Sequence, residues 1–211
     1  MASEISGGTA TATKDPRILS EARVKELKQC YETPHDVFVY AERMSKKFGI
    51  YGFGLDVAAS ERNRKHPYYI SAPGERDRNN PMHRGRDGLV TPWNTKSPFG
   101  AAWCNPPFGL TKAFLPRAYN QALQGCFSVL LTQTDPSVAW WPEAEKHATA
   151  RIDLHPRVNF IQHPDYLAHL EATGKTPGGN SGGNSLWFYN PWDIDRPDGC
   201  RVVKAESWRS V

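Results

Sequence analysis

The chain has 211 residues, enough for one α/β domain with a real core, and 23% charged against 39% hydrophobic residues give a mean hydropathy of −0.61. Such polarity predicts long polar loops, and no apolar run reaches the roughly 18 to 20 residues of a membrane span, so a soluble, cytoplasmic protein is expected. A net charge of +4 and a pI of 8.9 suit a polyanionic partner, while four scattered cysteines without a C-x-x-C pair, and no clustered histidines, argue against disulfide and metal sites.

Residues 1–14, rich in Ser, Thr, Gly and Ala, read as a disordered tail without the apolar stretch of a signal peptide. The folded domain is expected over 15–195, with a weakly basic C-terminal tail over 196–211. Asp15-Pro16 reads as an N-cap and first helical residue, with the helix continuing through Leu19, Val24 and Leu27. Thr33-Pro34-His35-Asp36 reads as a capping box. Val37, Tyr40, Ala41, Met44 and Phe48 follow at helical spacing, which predicts an amphipathic helix packed on a sheet.

Phe53 to Ala59 reads as the first strand. Near its end Asp56 is flanked by small residues including Ala58, and a carboxylate so placed either accepts hydrogen bonds from an ammonium or ribose or simply caps the next helix. No G-x-G-x-x-G is present, so nicotinamide or flavin binding has no support. Residues 61–86 are polar, with a short strand expected at Tyr68-Tyr69-Ile70. Their arginines, among them Arg76, Arg78, Arg84 and Arg86, either sit on a solvated loop or reach a phosphate backbone. Asp87-Gly88 reads as a turn.

The apolar run Ala101 to Cys104 reads as a strand that stops at Asn105-Pro106-Pro107-Phe108. Neither proline donates an N–H and each fixes its own φ, so the chain leaves the sheet in a stiff turn that presents acceptors. The Asn105 side-chain carbonyl and the Pro106 main-chain carbonyl are a pair suited to a planar NH2 group. Two fixed acceptors localise its lone pair on nitrogen, ready to attack an electrophilic methyl group. Phe108 is placed to stack on the ring carrying that amine. The plainer account is common turn chemistry with Phe108 in the core.

Thr111 to Gln124 reads as a helix with Phe114, Ala118 and Leu123 inward and Pro116 as an alternative first turn. Cys126 to Leu131 predicts a buried parallel strand ending at Thr132 to Pro136. Trp140-Trp141 sit on a helix, either packing on the sheet or standing near the DNA, and Arg151 to Leu154 form a further strand. Arg157 contacts a phosphate or substrate, or forms a structural ion pair. The Gly/Asn-rich stretch from Thr176 to Ser185 holds no fixed shape alone; it is a flexible hairpin loop or one that orders over DNA, ahead of the strand Leu186 to Tyr189.

Tyr31-Glu32-Thr33-Pro34, Phe53-Gly54-Leu55-Asp56-Val57-Ala58-Ala59-Ser60 with Asn63, Asp87-Gly88-Leu89, Trp93 and Trp103-Cys104-Asn105-Pro106-Pro107-Phe108 occur in an order that resembles the phage-type DNA N6-adenine methyltransferase (Dam) family. The resemblance runs from about Tyr31 to Asn190. It implies a Rossmann-like α/β fold, a mostly parallel sheet flanked by helices with a late antiparallel hairpin. It also implies S-adenosylmethionine as cofactor, with Thr33, Pro34, Asp56, Ala58 and Asp87 around it, and double-stranded DNA as partner. Asn105, Pro106, Pro107 and Phe108 are then catalytic, and no metal is needed. His155-Pro156-Arg157-Val158-Asn159-Phe160 is similar to the family's Gly-Arg-x-x-Phe segment, with Pro156 in place of the Gly. The same Asn-Pro-Pro-Phe chemistry serves cytosine N4, RNA adenine or protein glutamine, and a non-catalytic DNA-binding protein on this scaffold is the rival from another class.

Overall fold

A computed structural model describes residues 15–73, 80–94, 100–203 and 207–209. The expected tail over 1–14, and Arg76 and Arg78, lie outside these.

Eight strands form one sheet: β1 (Leu55–Asp56), β2 (Tyr69–Ser71), β3 (His83–Arg86), β4 (Ala101–Cys104), β5 (Phe127–Thr134), β6 (Ala150–Leu154), β7 (Gly183–Tyr189) and β8 (Arg201–Val203). Their order is β3-β2-β1-β4-β5-β7-β6-β8. Among the described strands β7 alone is antiparallel, inserted between β5 and β6, and every other pairing is parallel. The mostly parallel Rossmann-like sheet with a late antiparallel element is therefore present. Because chain order reverses between β1 and β4, the sheet has its topological switch point there.

The helices are α1 (Glu21–Leu27), α2 (His35–Ser45), α3 (Thr111–Ala122), α4 (Trp141–His147) and α5 (Pro164–Ala172). Successive β4 side chains serve opposite faces, as strand geometry requires. Ala101 and Trp103 join α2's Val37, Phe38 and Ala41 in one core cluster, and Ala102 and Cys104 join Leu115 and Ala118 of α3 and Trp141 of α4 in the other. Burial on both faces is what makes this run apolar throughout. Leu27 of α1 packs with Tyr166 and Leu170 of α5 in a separate small cluster.

Several local expectations shift. Asp15 does not cap a helix: its carboxylate holds the Arg17 N–H and guanidinium in a turn, and α1 starts instead behind Ser20, whose Oγ accepts the Arg23 N–H at 3.3 Å. Thr33 forms no capping box; Pro34 is the N-cap residue of α2 and no side chain caps it. The first strand shrinks from Phe53–Ala59 to two residues: past Asp56 the Val57 and Ala59 N–H groups still reach the Trp103 and Ile70 carbonyls, but the Ala58 N–H turns back to the Asp56 carboxylate. Pro116 lies inside α3 and Leu123 is exposed beyond its end, since burial of Phe114, Leu115 and Ala118 on the sheet outweighs one missing ladder bond. The polar stretch 61–86 contains β3, a sheet-edge strand.

The Gly/Asn-rich stretch is also more ordered than its composition suggests. Gly183, Asn184 and Ser185 are ladder residues of β7 opposite Thr134, Gln133 and Thr132. Asn184 is fully buried, with its Oδ1 accepting the Val158 N–H and the Asn180 amide. Within 196–211, the stretch read as a tail, β8 pairs with β6 and Trp208 is buried, its indole N–H donating to the Pro156 carbonyl.

Candidate active site

All the parallel strands point their carboxyl ends to one edge of the sheet, so Asp56, Asp87, Asn105 and the segment after β6 share it. At the switch point Asp56 pairs with Trp103, and the Val57 N–H bonds the Trp103 carbonyl at 2.9 Å. This register places Asp56 beside the strand that delivers Asn105.

Asn105 donates its side-chain NH2 to the Tyr31 carbonyl at 3.4 Å. A carbonyl can only accept, so this contact takes the NH2 side of the amide and leaves Oδ1 with no bond from a described donor. The Pro107 carbonyl takes the Leu110 N–H, whereas the Pro106 carbonyl has no bond from a described donor. Asn105, Pro107 and Phe108 are half-buried and Pro106 is buried, on a turn stiffened by the two prolines.

An aromatic cluster adjoins that turn. The Phe108 ring lies 5.9 Å from both Tyr31 and Phe160, and Tyr31 and Phe160 stack at 6.1 Å. Phe108 is thus half-buried against two partners rather than lost in the core. Tyr31 and Phe160 were part of quoted motifs, but nothing in their spacing assigned them to this wall. The bridge between Glu32 and Ile161 brings the two segments together.

Asp56 is 3% exposed, with Oδ2 accepting the Lys65 N–H at 2.9 Å and Oδ1 the Ala58 N–H at 3.4 Å. Burial pushes its carboxyl up to about 6, against the lowering effect of those two N–H groups. It is ionised at neutral pH, with unused lone pairs on both oxygens. The Lys65 ammonium reaches Glu32 at 2.7 Å, linking the Asp56 loop to the Tyr31–Pro34 segment that holds Thr33, itself buried. Asn63 ties the same loop by accepting from Ser60 N–H and Oγ. Burial also pushes the neighbouring Cys104 thiol up, so it stays neutral.

Asp87 follows β3 in the left-handed region at φ 61, with its N–H on the Ser71 carbonyl and its Oδ1 accepting the Leu89 N–H. Gly88 brings this turn against the Asp56 loop: a Cβ there would stand 2.2 Å from the Val57 carbonyl oxygen. Thr33, Pro34, Asp56, Ala58 and Asp87 thus belong to linked segments on one edge.

The arginines divide. Arg157 is exposed at the same edge and has no ion pair with a described residue, whereas Arg84 and Arg86 lie on the far edge strand, three strands from Asn105. At about 4.8 Å per strand that is ~14 Å away. Arg84 stacks over the Tyr68 ring at 3.8 Å. No group of three or more potential metal ligands occurs among the described residues, and none of the described helices is long and apolar enough to cross a membrane.

The family model described as "DNA N-6-adenine-methyltransferase (Dam)" matches residues 20–204. The chain belongs to this family. The match covers the Asn105 turn, the Asp56 loop and the Phe160 segment together, and the Rossmann-like sheet is consistent with a Dam family methyltransferase. The chain is also similar to the DNA N-6-adenine-methyltransferase of Escherichia phage T1, with 28% identity over 199 residues, covering 87% of this chain and 75% of that protein. No solved structure gives a significant match.

Proposed function

We propose that this Dam family member transfers a methyl group from S-adenosylmethionine to the exocyclic N6 of adenine in double-stranded DNA. The observation that carries this is the Asn105 amide: the Tyr31 carbonyl occupies its NH2, which leaves Oδ1 to accept at the end of β4 together with the Pro106 carbonyl of the same turn. Adenine N6 offers the two hydrogens that such a pair takes. Held there, its lone pair is withdrawn from the ring and the positive charge growing on nitrogen faces two oxygens.

The amine is inside a base pair, so the base must leave the stack at a cost of a few kcal/mol. Stacking returns about 1–3 kcal/mol per base, and Phe108 with Tyr31 and Phe160 supplies the rings for it. No general base is required, because a methylated ammonium-like nitrogen loses its proton readily to water.

The bound cofactor supplies an electrophilic methyl. The residues present fit it: ionised Asp56 accepts from an ammonium or ribose hydroxyl, and Gly88 lets the Asp87 turn pack directly on the Val57 carbonyl beside it. Thr33, Pro34, Ala58 and Asp87 complete its surroundings, and Arg157 contacts a phosphate of the DNA.

The deciding experiment is transfer of labelled methyl from S-adenosylmethionine to unmethylated duplex DNA, with nucleoside analysis of the product. Label in N6-methyladenine is expected. Label in N4-methylcytosine would change the target, and no label in DNA would overturn the reading.

A further inference from the structure

Outside the site just described, a cavity of about 370 Å³ lies between α1 and α5, lined by Leu19, Val24, Glu21 and the lysines Lys25, Lys28 and Lys175. All three lysines are exposed and none has an ion pair with a described carboxylate. The acids around them are mostly taken: Glu26 is held by Arg23 at 2.6 Å, Asp165 lies 4.0 Å from the same arginine, and Glu171 lies 3.7 Å from Arg17. Glu21 alone faces the cavity, so three positive charges meet one negative.

Among the described residues the Lys28 ammonium has only the Tyr166 ring as partner, at 5.7 Å; like charges gathered in one concavity repel one another, and a polyanion relieves that repulsion. The groove is also joined to the Tyr31 and Phe160 segments at three points. Lys28 caps α1 three residues before Tyr31, a separation of at most about 11 Å. α5 is entered directly from Phe160 through the Ile161 bridge. The chain leaving Lys175 is clamped back onto the Phe160 segment, with Gln162 donating to the Gly178 carbonyl and Asn180 donating to the Val158 carbonyl.

We infer that the α1/α5 groove is a phosphate-binding surface for the DNA backbone, with Lys25, Lys28 and Lys175 gripping phosphates beside the target base. This rests on the DNA reading above. The groove reads no sequence; it fixes the duplex so that the flipped base meets Asn105. Its floor is rigid enough to do so, because the buried His169 ring accepts the Leu19 N–H at 3.1 Å and locks the two segments together.

The test is duplex DNA binding by fluorescence anisotropy from about 50 to 200 mM salt, using the full chain and the triple variant Lys25→Gln/Lys28→Gln/Lys175→Gln. Each lost phosphate contact lowers the slope of log affinity against log salt by about 0.9. The triple variant should therefore lose nearly three from the slope and at least about tenfold in affinity, equally for unrelated sequences. The Lys→Arg triple variant should bind like the original chain, and Glu21→Gln should bind more tightly. An unchanged slope in the Gln variant, with the original chain binding normally, overturns the groove alone. Loss of binding in the Arg variant also overturns it, because charge is retained there. If the original chain binds no duplex at all, the DNA reading falls with it.

Discussion

At the Asp56 end of the sheet β1 and β2 are two and three residues long, whereas β5 and β7 run for eight and seven. The long pair is held by its own ladder and by large apolar side chains such as Trp187, which packs edge-on to Trp141 at 4.8 Å. The short pair has little ladder. Its shape depends on side chains that bond the backbone: Asp56 to Lys65 and Ala58, Asn63 to Ser60. Stability and site geometry are therefore carried by different residues, which substitutions can separate.

The largest expected effect is in the long half. Trp187→Ala empties a fully buried position and leaves the Thr132 hydroxyl without its indole donor. A loss of about 3–5 kcal/mol should appear in denaturant unfolding, with methyl transfer per folded molecule little changed. Asn105→Ala should do the reverse, lowering transfer by at least about 10²-fold while calorimetry finds cofactor affinity and melting temperature nearly intact. If cofactor binding is lost as well, with the fold intact, the role assigned to that amide is wrong.

Asp56 yields a pH signature that the long half lacks. Its native pKa of about 6 lies above the ordinary 3.8, so the native state holds the proton more tightly than the unfolded chain. Stability contributed by the protonated form is complete below pH 4 and lost as pH rises to 6, on the order of 3 kcal/mol. Unfolding of the cofactor-free protein should show this decline, and Asp56→Asn should remove it while weakening cofactor binding. Gly88→Ala forces a Cβ against the Val57 carbonyl and should cost about 1–3 kcal/mol and cofactor affinity together. Arg157→Ala should be mildest: an unchanged melting temperature and a salt slope of DNA binding reduced by about 1.

Legibility in the sequence follows the same division. The runs Ala101–Cys104 and Cys126–Leu131 announce β4 and β5 because both sheet faces are buried there and every position must be apolar. β3, with the sequence His83-Arg84-Gly85-Arg86, lies at the sheet edge and is only half-buried, so it carries no apolar signal. β8 has two exposed residues in three and was hidden in a stretch read as a tail for the same reason. Asn184 looked like loop chemistry, yet its amide is satisfied by Val158 and Asn180, partners visible only after folding.

By itself the sequence singled out Asn105 and Asp56 as candidates, because a proline-locked turn after a buried strand and an acid among small residues are local facts of covalent structure. The tertiary structure decided what surrounds them. Tyr31, Phe108 and Phe160 come from segments far apart in the chain, and so do the lysines of α1 and the end of α5. Pairing across such distances depends on which apolar faces bury one another, and local sequence does not encode that.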